Sequence, residues 1–141
     1  MIIINDIPAI IDLKKIKFLI TNFVYNEGYE VKKINYNFVS KSKISKINSK
    51  YLNHKSETDI VTFNYSESKK IEAEMYLCYS VIKKHAKEYN QSIDNEIVRV
   101  MAHGVLHCMG YNDKVDSEKI LMTQKEDLFL KMFHVKHYNH V

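Results

Sequence analysis

The stretch from Asp94 to Met109 leaves the fold little choice. Read as a helix, it carries Ile97, Met101, Val105 and Cys108 on one stripe and Val98, Ala102 and Leu106 on another. A helix that is apolar nearly all round is a buried one, so the rest of the chain must wrap it. His103 and His107 stand four residues apart and project from the same side, one turn apart. Partly buried imidazoles need partners. Separate hydrogen bonds inside the core answer that need, and so does a single metal ion held by both rings.

Three neighbours favour the metal. Gly104 sits inside a strong helix, where it costs about 1 kcal/mol relative to Ala, a cost that close approach of another backbone or a substrate explains. Gly110 stands just past the last turn, where helices commonly stop. The chain can bend back there and bring Asp113 toward the open side of an ion, giving a three-ligand site with one position left for water. In H-E-x-x-H metalloproteases the residue after the first histidine is a general base; here it is Gly104, which disfavours peptide hydrolysis of the usual kind.

The remaining pattern gives an α+β fold: a small mixed β-sheet of about four strands packed with helices, in one domain spanning 1–141. Strands are expected at Met1–Ile4, Glu30–Val39, Ile60–Tyr65 and Ile71–Cys78, the last two joined by a hairpin over Ser66–Lys70. Alternation in the second strand slips near its start. Helices are expected from Asp12 as N-cap to about Asn26, from Ser42, around Lys83–Glu88, from Asp94, and from about Asp116 to Phe133. In the last helix Ile120, Leu121, Leu128 and Phe129 are the expected packing face.

Composition narrows the class. A chain with 45% hydrophobic and 27% charged residues is an ordinary globular protein rather than a disordered one. No apolar run approaches a membrane span, and the start lacks a basic segment and soon meets Asp6 and Pro8, so a cytoplasmic protein without signal peptide is expected. Cys78 and Cys108, in apolar surroundings, read as reduced core thiols. The net charge of +4 is modest, but Val31–Ser56 contains no acid and seven lysines: Lys32, Lys33, Lys41, Lys43, Lys46, Lys50 and Lys55. That stretch is either a solvated surface or a contact for phosphates. His134, His137 and His140 fall in a polar tail and are not expected to bind metal. His85, among lysines, is expected to be exposed.

His103-Gly-Val-Leu-His107-Cys-Met-Gly110-Tyr111-Asn-Asp113 resembles the H-G-x-L-H-x-x-G-Y-D-H signature of the YbeY family of rRNA maturation endoribonucleases. Asn48-Ser-Lys-Tyr51 and Thr58-Asp59-Ile-Val-Thr-Phe63 are similar to that family's L-N-x-x-Y and T-D-V-L-S-F segments, and Ala73-Glu74-Met75 falls where the family has Gly-Asp-Ile. The resemblance implies a metal-dependent hydrolase that cleaves single-stranded RNA, processes the 3′ end of small-subunit rRNA and serves ribosome quality control. It implies one divalent ion, Zn2+ first, held by His103, His107 and Asp113. It also implies the small ribosomal subunit, and ribosomal or GTPase proteins, as partners, with no membrane. Two positions depart from the pattern. The third ligand is typically histidine, where this chain has Asp113, a weaker donor to Lewis acidity and one suited to harder ions. The Arg that follows Tyr in the family is Leu52 here; His54 and Lys55 are the expected substitutes, though neither has Arg's rigid fork. An RNA-binding assembly factor with a structural metal is the alternative that this loss favours, and a hydrolase on small substrates is a third reading.

Overall fold

Strand β4 (Lys70–Cys78) is the centre of a sheet in the order β1-β2-β4-β3. A computed structural model describes residues 1–9, 11–52 and 58–135, with 51 and 52 described by backbone alone. β1 (Ile2–Asn5) and β2 (Glu30–Val39) run parallel, β2 and β4 run parallel, and β3 (Ile60–Asn64) lies antiparallel to β4 at the edge. The sheet is therefore mixed, and the fold is α+β with five helices among the described residues. The slip in the β2 alternation is a real irregularity: the register with β4 shifts between Val31 and Lys33. Ser68 and Lys69 make the β3–β4 turn at φ 51° and 61°, both left-handed, as a two-residue hairpin loop requires.

Alternation along the strands sorts the helices onto two faces. Met75 of β4 meets α4 (Ile93–Cys108), and Tyr36 of β2 donates its hydroxyl to Met101 O at 3.0 Å. On that face α1 (Leu13–Asn26) and α5 (Asp116–Phe133) flank α4, and Phe23 packs edge-on against Phe129 at 5.4 Å. On the opposite face Ile44 of α2 (Lys41–Leu52) joins Val61, Cys78 and Val81 in a smaller cluster. α3 (Tyr79–Glu88) buries Val81, Ile82 and Ala86 behind its lysines.

Helix α4 is buried as its composition demands; Ile97, Val98, Met101, Ala102, Val105 and Leu106 are at most 2% exposed. It starts one residue before Asp94, at Ile93, because Ser92 caps it by accepting from Asn95 N at 3.1 Å. The packing face of α5 departs from expectation. Ile120, Leu121 and Leu128 are exposed, and the inward face is Met122, Glu126, Phe129 and Leu130. Apolarity alone chose the wrong stripe because the true one contains a buried carboxylate.

Candidate metal centre

The local sequence builds the site in three steps. One turn of α4 sets His103 and His107 with their Nε2 atoms 2.9 Å apart. The helix then stops on Gly110 (φ 94°): Tyr111 N–H donates to Leu106 O and Gly110 N–H to His107 O, both at 3.0 Å, the pair of bonds of a Schellman ending. Finally the return turn is pinned on both sides. Tyr111 donates its hydroxyl to Glu27, which also holds Lys125 at 2.8 Å, while Glu118 accepts from Lys114 N and Val115 N at 3.2 Å. Asp113, between the pins, places Oδ2 3.4 Å from His103 Nε2 and 3.6 Å from His107 Nε2.

These spacings fit a metal ion. Ligand atoms at about 2.0–2.1 Å from a tetrahedral zinc ion lie about 3.3 Å from one another. The three observed separations of 2.9, 3.4 and 3.6 Å bracket that figure. With nitrogen and oxygen donors only, the group suits zinc and harder divalent ions alike. The rings and carboxylate are partly exposed on their open side, above a cleft of about 390 Å³ lined by Thr58, Asp59, Ile60, Val61, Thr62 and Asn64 of the β3 region.

What orients the ligands lies outside the motif. Glu126, 4% exposed, sets Oε2 2.5 Å from His103 Nδ1. A carboxylate there makes Nδ1 the protonated nitrogen and leaves the Nε2 lone pair for the open side. Glu126 is held in turn by Arg99 at 3.1 Å, and Arg99 grips the buried Glu96 through two further bonds of 2.9 and 2.6 Å. The Glu96 hydrogen bonds raise the guanidinium's affinity for its proton still further, so this cation is permanent. Asp59, in the cleft wall, is 4.0 Å from Arg99 and 3.6 Å from His85 Nδ1. His107 is held below its ordinary 6.5 by burial first and by the neighbouring His103 second, which keeps it neutral and ready to ligate.

Several sequence expectations change here. His85 is only partly exposed, facing Asp59 rather than bulk solvent. Gly104 is required by helix–sheet contact: an added Cβ would lie 2.7 Å from Met75 Sδ and 3.0 Å from Ile60 Cδ1. No substrate approach is needed to explain it. His134 is exposed at the end of α5, its Nε2 2.7 Å from Asn95 Oδ1, whereas His137 and His140 lie outside the described residues. So do His54 and Lys55, the expected substitutes for the missing Arg. Arg99 and Glu126 went unread. Arg99 had a signal, being the one Arg of the chain and one turn before His103; Glu126, 23 residues from its ring, had none.

The cup and its carboxylate brace define a class: a hydrolase-type metal site carried on a helix and the turn that follows it. Comparison with known proteins gives the family. The model of the family described as Endoribonuclease YbeY matches residues 7–134. Proteins named Endoribonuclease YbeY from Flavobacterium johnsoniae and Flavobacterium psychrophilum are 41% and 38% identical, over 79% and 83% of this chain and 77% and 84% of theirs. One from Chlorobium chlorochromatii is 37% identical over 91% of this chain and 82% of its own. The solution structure of TM1509 from Thermotoga maritima superposes with a TM-score of 0.70 at 26% identity, covering 94% of this chain and 89% of that one. The chain belongs to the YbeY family.

Proposed function

We infer that this protein is a metal-dependent endoribonuclease that cleaves single-stranded RNA in the maturation of ribosomal RNA, at the 3′ end of the small-subunit species. The observation that carries the reading is the three-donor cup of His103, His107 and Asp113, open to a cleft and lying within the span that matches the family. These three residues hold one divalent ion, zinc by preference, since two imidazoles and a carboxylate in tetrahedral spacing are a common catalytic zinc set. When bound, such an ion polarises a phosphoryl oxygen and acidifies water in its open position.

The chain's own residues do the rest. Glu126 keeps the proton of His103 on Nδ1, and Arg99 holds Glu126 in place. The Gly110 turn and the Tyr111–Glu27 contact hold Asp113 at ligand distance. The β3 wall gives the substrate a bed beside the cup. The small ribosomal subunit is the natural place of action, with ribosomal or GTPase proteins as partners, in the cytoplasm; no helix among the described residues is long and apolar enough to cross a membrane. The test is cleavage of single-stranded and structured RNA, with and without chelator, beside the His103→Ala/His107→Ala variant. Cleavage is expected on the single strand and with metal only. Cleavage that survives chelation or the double substitution rejects the reading.

A further inference from the structure

β3 is an edge strand whose outer side borders the metal cleft. Its ladder fixes which backbone groups face outward. Cys78 N–H donates to Asp59 O at 2.9 Å and Tyr65 N–H to Glu72 O at 2.8 Å, so 59, 61, 63 and 65 turn toward β4. Ile60, Thr62 and Asn64 therefore turn their N–H and C=O groups away from the sheet. Thr58 Oγ1 takes the Ile60 carbonyl at 3.1 Å; among the described residues nothing takes the Thr62 amide. Open edges are usually blunted by charge, proline or a covering segment. This one shows Ile, Thr and Asn.

Across the edge, on the sheet face that carries α2, lies a hollow of about 350 Å³ lined by Lys43, Ile47, Phe63, Tyr65, Tyr76 and Glu74. Tyr65 is 60% exposed, and Lys43, Lys46 and Lys50 lie on the solvent side of α2. A strand leaving the cup over β3 thus meets a row of amide donors and then an aromatic and lysine surface. Phosphate oxygens only accept hydrogen bonds, which suits backbone N–H groups. Bases stack on exposed aromatic rings, and lysines follow the charge of the backbone.

We propose that single-stranded RNA crosses the free edge of β3, a phosphate flanking the scissile one accepting the Thr62 N–H and the next base stacking on Tyr65. The proposal rests on the endoribonuclease reading and adds to it the path of the substrate. An extended polypeptide could also add to this edge, but it would use the carbonyls as well as the amides and would make no use of the lysines.

Proline at 62 removes this N–H without breaking a ladder bond, the one situation in which a strand accepts it. Thr62→Pro is expected to bind single-stranded RNA roughly tenfold more weakly, the loss of one charge-assisted hydrogen bond. Thr62→Ala, which keeps the amide, is expected to lose less. Equal losses in the two variants, or none in Thr62→Pro, overturn the proposal. Amide shifts of the zinc-loaded wild-type protein, titrated with a short phosphorothioate-linked RNA, stand even where the proline variant fails to fold. Large shifts at Ile60, Thr62 and Asn64 with small ones at Val61 and Phe63 support the proposal. Uniform or absent shifts overturn it, as do shifts produced by an unstructured peptide and not by RNA. If the edge stays still while the wild type cleaves RNA, the path alone is wrong; if the wild type neither binds nor cleaves RNA, the endoribonuclease reading falls with it.

Discussion

With His103 Nδ1 bound 2.5 Å from Glu126 Oε2, only Nε2 is left to face the cup. Glu126→Gln keeps the shape and removes the charge, so it is expected to weaken zinc binding by roughly 10- to 100-fold, the usual cost of losing a carboxylate behind a ligating histidine. Competition against a zinc-sensing chelator measures it, and an unchanged affinity would show that the ring needs no brace. Glu27 supports a second prediction, on pH. Burial raises this carboxyl, but hydrogen bonds from Lys125 and Tyr111 and the lysine's charge outweigh that and hold it below 4.5. A depressed carboxyl stabilises the fold above its unfolded pKa, and the contribution is lost as pH falls through the folded value. Urea unfolding should therefore find Glu27→Gln less stable than wild type at neutral pH, with the gap closing below about pH 4.5. A gap that is constant with pH would mean that the Glu27 contacts hold nothing through charge. The grouping of His103, His107 and Asp113, by contrast, was legible because they lie within one turn-and-a-half of helix and its exit, where spacing determines geometry. Glu27 reaches Tyr111 across 84 positions, and no spacing rule covers that.

Helix α4 and the strands beneath it meet through Gly104, where the fit is sterically tight. An alanine there gains about 1 kcal/mol of helix propensity. Its Cβ, however, would press 2.7 Å from Met75 Sδ and 3.0 Å from Ile60 Cδ1, and Met75 is fully buried. Overpacking of this kind typically costs about 1–3 kcal/mol, so Gly104→Ala is expected to be destabilised by about 1 kcal/mol net and to shift the adjacent His103. Met75→Val shortens the obstructing side chain; combined with Gly104→Ala it should restore part of the loss, which a double-mutant cycle by urea denaturation reads as a favourable coupling. Strict additivity would place the cause of the glycine elsewhere. The elements themselves were largely legible: order, mixed sheet, the Asp12 cap (Oδ1 3.1 Å from Lys15 N) and the β2 slip all follow from periodicity and capping chemistry. The inward face of α5 was not. Periodicity counts apolar residues, and this face spends one of its positions on Glu126, which is buried because Arg99 and His103 wait for it.

In the whole molecule the site sits on a core that closes without it. Tyr36 reaches Met101 O inside the fold, Phe23 meets Phe129, and α4 is enclosed by β4, α1 and α5, while the cleft beside the cup is lined by the β3 region. A metal bound there is expected to add stability by mass action without being part of the scaffold. At a free concentration a hundredfold above its dissociation constant it contributes about 2.7 kcal/mol, so chelation should lower Tm by on the order of 10 °C in a domain of this length. Far-ultraviolet circular dichroism and the cooperativity of unfolding should be unchanged, while RNA cleavage disappears and returns with zinc. This outcome separates the two roles a metal can have. A structural ion, as in small zinc domains, carries the folding energy, and its removal leaves an unfolded chain. If the chelated protein lost its cooperative transition, the ion would belong to the scaffold, and the RNA-binding assembly factor would become the better account of the same three ligands.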